Sequence, residues 1–213
     1  MATYIIVAII AYAIGSISFS VIISKKMAGF DLREKGSGNA GSTNMLRTVG
    51  KRAATLTLLC DVLKGVIAVL IAVLIGKIVK NVDKALLVQI AGIAVVIGHT
   101  FPILFEFKGG KGVATSLGVL LTINWKIGLI CLVFALVIMA VTRIVSMGSV
   151  GAAILCPILT IFLSTNFIVP AKGIKYLLFS LILAGIVIFN HRENLKRIIA
   201  GTENKLSFKN TNA

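Results

Sequence analysis

Apolar and polar positions follow one another along this chain in long blocks, not in the short periods of a soluble fold. Thr3 to Ser24 is an apolar run of about 22 residues, roughly 33 Å as a helix and long enough to cross a bilayer core. A polar stretch from Lys25 to Arg52 follows. Ala53 to Gly76 predicts a second span, interrupted by Asp61 and Lys64, and Ala85 to Phe105 a third, which ends near Pro102. Val113 to Asn124 is about 12 residues, roughly 18 Å as a helix, too short to cross a core of about 30 Å alone. Such a segment is stable at membrane depth only where protein or a water-filled cavity surrounds it. Trp125 and Lys126 read as an interfacial anchor. Ile127 to Thr142, Met147 to Asn166 and Ile174 to Asn190 predict three more spans, and His191 to Ala213 a polar tail. The pattern predicts an all-α polytopic membrane bundle of about seven transmembrane helices, the short segment 113–124 included, with residues 1–213 forming one integral-membrane unit. No charged segment precedes the first run and no small-residue cleavage pattern follows it, so it reads as a retained helix.

Composition sharpens this picture. The chain is 58% hydrophobic, yet carries a formal net charge of +15. The basic residues lie in short loops between apolar spans, which argues for anionic lipid or anionic substrates and against nucleic acid. If the loop at 25–52 is cytoplasmic, alternation of seven spans puts residues 106–112, Arg143 to Ser146 and the tail on the same side. That side holds fifteen of the 22 Lys and Arg. The other side holds Lys77, Lys80, Lys84, Lys126, Lys172 and Lys175, and Lys64 lies inside a span. The expected orientation is therefore N-terminus outside and C-terminus cytoplasmic, which depends on segment 113–124 crossing. Cys60, Cys131 and Cys156 are odd in number and sit in apolar runs, where they read as small core residues.

Four polar clusters fall on that basic side. Phe107-Lys108-Gly109-Gly110-Lys111-Gly112 leads into a helix start at Val113. Glycines permit a tight turn that brings N–H groups toward an anion, and a helix N-terminus adds further donors. The bland reading is a turn between two membrane helices. Ser37-Gly38-Asn39-Ala40-Gly41-Ser42-Thr43-Asn44, followed by Arg47, offers hydroxyl and amide donors suited to an anionic polyol, or else a solvated loop. Asp61 and Lys64 stand one turn apart, either as an internal ion pair or with Lys64 on a pocket floor. Gly98-His99-Thr100-Phe101-Pro102 runs into the glycine-lysine loop, and Asn190-His191-Arg192-Glu193-Asn194 with Arg197 and Glu203 forms the last cluster. No metal-ligand spacing is visible, so no cofactor is expected.

Taken together and in order, SGNAGSTN with Arg47, Asp61-Val-Leu-Lys64-Gly, Gly98-His99 with FKGGKGVAT, and HREN with Arg197, Gly201 and Glu203 resemble the bacterial acyl-phosphate-dependent glycerol-3-phosphate acyltransferase family. Ser18, Ala40 and Ser42 depart from its pattern. The resemblance implies transfer of a fatty acyl group from acyl phosphate to the sn-1 hydroxyl of glycerol 3-phosphate at the cytoplasmic face of a bacterial inner membrane, by a protein that works as a monomer among membrane lipid. In that setting Lys111, Arg47 and Arg143 are candidates for phosphate. Ser37, Asn39, Thr43, Asn44 and Ser146 would orient the glycerol, with Lys64, Gly109, Gly110, Gly112 and Asn190 completing the pocket. His191, Asn194, Lys111 and Ser37 form the candidate catalytic set, Glu203 a brace for Arg197. The glycine-loop N–H groups or Lys111 would meet charge developing on the carbonyl oxygen. An activated donor makes an acyl-enzyme unnecessary. The competing class is a transporter for a phosphorylated solute, which would place charges and broken helices near the bilayer midplane, frequently in pseudo-symmetric halves.

Overall fold

The first apolar run does not form one helix. In the computed structural model, which describes residues 1–163, 168–169 and 172–206, it divides into α1 (Ala2–Gly15) and α2 (Phe19–Ala28), separated by Ser16, Ile17 and Ser18. The break frees carbonyls at membrane depth, where no water can satisfy them. The Lys64 ammonium supplies donors to two, Gly15 O and Ile17 O, each at 3.0 Å. Left-handed Gly29 ends α2, and the polar stretch after it contains α3 (Ser42–Thr48), an element the sequence pattern did not reveal.

α4 (Lys51–Ile78) and α5 (Lys84–Thr100) follow, the latter capped by the Asp83 side chain, which accepts from Leu86 N at 3.1 Å. α5 stops before the expected end of its span, because Pro102 lacks an N–H and the chain leaves the helix at Phe101. The short segment is α6 (Val113–Ile123), about 17 Å long. It meets the condition set for it, since it packs on α4, α5 and α7 and buries Thr115, Ser116, Gly118, Val119, Leu120, Thr122 and Ile123. Asn124 ends α6 and caps α7 (Trp125–Thr142) by accepting from Ile127 N. α8 (Val145–Phe162) and α9 (Gly173–Asn190) complete the apolar set. The expected end of the α8 span at Asn166 lies outside the described residues, as does the tail from residue 207. The tail begins as a helix, α10 (Arg192–Ile199).

The protein is an all-helical, multi-pass integral membrane protein. Among the described residues, six helical stretches are long and apolar enough to cross a bilayer, with α1 and α2 counted as one, and α6 is a shorter seventh. The outer face of α4 presents Leu56, Leu59, Leu63, Ile67, Leu70 and Leu74 to the surroundings, as expected where the solvent is hydrocarbon. Inside, Val88, Ala91, Val95, Val119, Ile123, Tyr176 and Phe179 form the main core between α5, α6 and α9. Close backbone crossings set the site's frame. A Cβ on Gly15 or Gly98 would strike the α5 or α1 backbone, and one on Gly65 or Gly118 the α6 or α4 backbone.

Candidate active site

The glycine-lysine loop folds back onto the end of α5. After Pro102 the chain makes a 3-10 turn (Ile103–Phe105), passes through left-handed Glu106 and Phe107, and returns so that Gly109 N–H donates to Thr100 O and Gly110 N–H to His99 O, both at 3.1 Å. These glycines permit close approach: a Cβ on Gly109 would strike His99 O, and one on Gly110 the His99 ring. The two N–H groups expected to meet the reacting oxygen therefore cap the last carbonyls of α5 instead. The donors that remain for an anion belong to the first turn of α6, whose cap Gly112 is left-handed (φ 85°) and adds no side-chain bond.

Lys111 carries the loop into a polar cluster built by α8, α10 and the segment after α10. Its Nζ donates to Asn194 Oδ1. Asn194 Nδ2 donates to Glu203 Oε1 at 2.6 Å, Ser146 Oγ to the same oxygen at 2.9 Å, and Arg197 Nε to Oε2 at 2.7 Å. Burial pushes Glu203 up, but its bonds from Asn194, Arg197 and Ser146 outweigh that and hold it below the ordinary glutamate value. Burial lowers Lys111 to about 8; Glu203 opposes the shift, and Arg197 and Arg47 add to it. His191 is 3% exposed, with Nδ1 2.7 Å from Val187 O. Burial lowers it to about 4, with Lys111 contributing in the same direction and the Val187 bond opposing. The ring is neutral at pH 7, Nδ1 donating to the carbonyl and Nε2 left as an acceptor.

The segment 202–206 lies across this cluster. Arg47 Nη2 reaches Asn204 O at 3.4 Å, and Leu206 N–H donates to Arg143 O at 2.7 Å. The first loop abuts the glycine-lysine loop at Gly110, where Ala40 O would lie 2.9 Å from an added Cβ. Arg33 fastens the two loops together. It grips Asp31 through Nε–Oδ1 and Nη2–Oδ2 (3.0 and 2.9 Å), and its Nη1 donates to Phe105 O at 2.7 Å. The hydrogen bonds from Arg33 hold the Asp31 carboxyl well below the usual range, against the effect of burial.

A family profile for glycerol-3-phosphate acyltransferase matches residues 5–201. The chain belongs to that family. The acyltransferase is 47% identical over 207 residues to a glycerol-3-phosphate acyltransferase of Clostridioides difficile (strain 630), covering 97% of each chain. It is 45% identical to one from Thermoanaerobacter sp. (strain X514), covering 96% of each. Two crystal structures of PlsY (YgiH), an integral membrane glycerol 3-phosphate acyltransferase, match it across nearly the whole chain. The glycerol 3-phosphate form has a TM-score of 0.84 at 35% identity, with 96% of each chain covered. The lysophosphatidic acid form has 0.82 at 33%, covering 96% of this chain and 95% of the other.

Within the acyltransferase the expected site residues divide into groups. Lys111, Asn194 and Ser146 come together around Glu203; His191 and Arg47 stand close enough to act on the Lys111 charge or be acted on by it. Arg143 reaches the same segment through its carbonyl, and Asn190 Nδ2 donates to Thr100 Oγ1 at 3.4 Å beside the loop. Ser37 and Asn39 occupy the neighbouring first loop and Thr43 the first turn of α3, with Ser37 exposed. Two of the expected residues have side chains engaged within the fold itself. Asn44 is buried, and its amide is taken up inside the loop: Oδ1 accepts from Ser37 N, and Nδ2 lies within 3.2 Å of Leu32 O, Lys35 O and Asn39 O. Lys64 is 2% exposed, its ammonium donating to Gly15 O and Ile17 O and lying 3.0 Å from Asp61 Oδ1 as an ion pair. Arg33 and the central place of Glu203 were not foreseen. Asp31-x-Arg33 could have suggested a local pair, but nothing in the spacing of Arg33 announces its reach to Phe105.

Proposed function

We propose that this acyltransferase moves a fatty acyl group from acyl phosphate to the sn-1 hydroxyl of glycerol 3-phosphate, releasing lysophosphatidic acid and phosphate. The observation that carries the reading is the convergence of Lys111, Arg197, Arg47, Asn194 and Ser146 around one carboxylate at the end of an apolar bundle. Lys111, Arg197 and Arg47 outnumber the Glu203 carboxylate, and this excess of positive charge suits a small dianion arriving from water. The apolar flanks suit a donor whose chain stays in the membrane. The solved relatives, in their glycerol 3-phosphate and lysophosphatidic acid forms, support the same acceptor and product.

The transfer is direct. The sn-1 oxygen attacks the acyl carbonyl carbon, the bond from that carbon to the phosphate oxygen breaks, and phosphate departs with its electron pair. Lys111, Arg47 and Arg143 hold phosphate, and Ser37, Asn39, Thr43 and Ser146 orient the glycerol. Developing charge on the carbonyl oxygen meets Lys111 or the first-turn donors of α6. His191 Nε2 accepts from the attacking hydroxyl and sets its direction, with Asn194 beside it. With a value of about 4, the imidazole is a poor resting place for the proton at pH 7. The substrate's own phosphate, whose second pKa is about 6, is the better acceptor.

The chain acts as one domain and as a monomer, with α6 completing seven crossings, the N-terminus outside, and the site facing the cytoplasm of a bacterial inner membrane. The distribution of Lys and Arg among the loops supports this orientation. Purified protein offered glycerol 3-phosphate with acyl phosphate, acyl carrier protein thioester or acyl-CoA tests the reading. Turnover is expected with acyl phosphate alone, and equal use of a thioester would overturn the donor assignment.

A further inference from the structure

We propose that His99 and Asp61 are positioning residues for glycerol 3-phosphate binding: the His99 ring is the pedestal on which Gly110 sits, and Asp61 fixes that ring. The inference rests on the assignment of Lys111 to phosphate.

Asp61 Oδ1 lies 3.5 Å from His99 Nδ1 and 3.0 Å from Lys64 Nζ. On the other side of the ring, Nε2 occupies the space that a Cβ on Gly110 would need. Gly110 N–H also donates to His99 O at 3.1 Å, so one residue holds the loop by backbone and ring together. The ring has no room to swing. It is 7% exposed, its neighbour Gly98 lies against the α1 backbone at Tyr12, Gly15 and Ser16, and Asp61 is itself held by Lys64 on the broken end of α1.

Electrostatics alone does not call for His99. Asp61 and Lys64 neutralise one another, and Lys64 already satisfies the α1 carbonyls. A third titratable group buried beside them at membrane depth is costly unless it does something the pair cannot. What it touches is the residue immediately before Lys111. The Lys111 ammonium meets Asn194, so any slide of Gly110 across the pedestal displaces that ammonium from the cluster around Glu203. A misplacement of about 1 Å is enough to cost on the order of a hundredfold in a binding or reacting geometry.

His99→Asn separates this role from simple packing. The asparagine amide nitrogen lies near the place of Nδ1 and keeps a donor for Asp61, but the half of the ring beneath Gly110 is gone. A stabilising role alone would be rescued by this variant. For a pedestal, KM for glycerol 3-phosphate should rise about tenfold. KM for acyl phosphate, kcat within about twofold and the melting temperature should stay put. The paired change Asp61→Asn with Lys64→Met, which leaves no lone charge, should raise the same KM, and its effect should largely vanish in the His99→Asn background. An unchanged KM for glycerol 3-phosphate in folded His99→Asn overturns the pedestal, as does an equal rise for both substrates. Loss of folded protein in both variants also overturns it, because the ring would then be a general packing group. Lys111→Ala measured alongside keeps the two claims apart: a raised KM there with an unchanged one in His99→Asn removes the pedestal alone, whereas a normal KM in Lys111→Ala removes the lysine assignment and the pedestal with it.

Discussion

Burial depresses the Lys111 ammonium, Glu203 opposes the shift, and Arg197 and Arg47 lie close enough to add to it. This gives the site a pH signature whose sign can be worked out. The Lys111 value in the free protein is lowered to about 8, so the cation is present below that pH and is lost as pH rises through it. The substrate becomes a dianion as pH rises through about 6. kcat/KM for glycerol 3-phosphate should therefore climb near pH 6 and fall near pH 8. Lys111→Ala should lose about 10- to 100-fold in kcat/KM, the loss expected of a charge-assisted bond, with folding preserved. Lys111→Arg should also be impaired, because a planar fork does not fit the turn, but its alkaline limb should disappear. Glu203→Gln removes the group that raises Lys111, so the limb should move to lower pH; an unmoved limb would contradict the hub. Ser37, which orients the glycerol, lacks the setting of a nucleophile. Its N–H is held by Asn44 and its side chain is exposed, with neither His99 nor His191 bonded to it among the described residues. Labelled acyl phosphate alone should leave no acyl group on denatured protein, and initial-rate plots should intersect. A stoichiometric adduct lost in Ser37→Ala would sink direct transfer. Lys111 and Asn194 were legible because a Gly-Lys loop and a polar helix start stand out between apolar runs. The position of Glu203 was not. It depends on left-handed Gly201 (φ 69°) and the Thr202 N to Arg197 O bond, which turn the chain back over α10.

At the scale of elements, hydrophobic blocks revealed most of the helices, because a membrane span must be long and apolar whatever its neighbours are. The break between α1 and α2 was hidden for the same reason: Gly15-Ser16-Ile17-Ser18 is apolar enough to pass for continuous helix, and the group that makes a break tolerable comes from α4. α3 was hidden in the polar loop, where seven residues show no useful period. The break explains why Lys64 lies within a span. Lys64→Ala would leave Asp61 buried beside His99 without its ammonium and two α1 carbonyls without donors. That should cost about 3–5 kcal/mol, the range for removing one partner of a buried pair. For a chain of this length such a loss lowers the melting temperature by on the order of 10 °C. Because Lys64 also steadies Asp61 beside His99, the part that remains folded should bind glycerol 3-phosphate more weakly, by no more than the roughly tenfold expected of His99→Asn, in equilibrium titration. A large affinity loss at an unchanged melting temperature would return Lys64 to the pocket.

For the whole molecule, the arrangement of charge and of helices must agree. A water-soluble dianion and a membrane-borne acyl donor can meet only where the bundle ends, and the Lys111 cluster, the first loop and the segment after α10 do lie together at one end. The same end carries most of the Lys and Arg, whereas Lys80, Lys84, Lys172 and Lys175 belong to loops at the other. This grouping was legible from the sequence only by assuming that segment 113–124 counts as a crossing. The structure makes that assumption physically reasonable, because α6 is sheathed by α4, α5 and α7 and exposes little backbone to lipid. Were α6 re-entrant, residues before and after it would lie on the same side and Lys205 would face the opposite compartment from Lys111. The contacts around Glu203 oppose that, since they join the segment after α10 to the loop before α6. Lys205→Cys, in a background with Cys60, Cys131 and Cys156 replaced, should therefore resist an impermeant thiol reagent in intact cells and label once the membrane is opened. Lys80→Cys should label in intact cells. Ready labelling at 205 together with protection at 80 would invert the molecule and place the site outside. Labelling at both would mean an even number of crossings between them and would overturn the count that makes α6 a crossing.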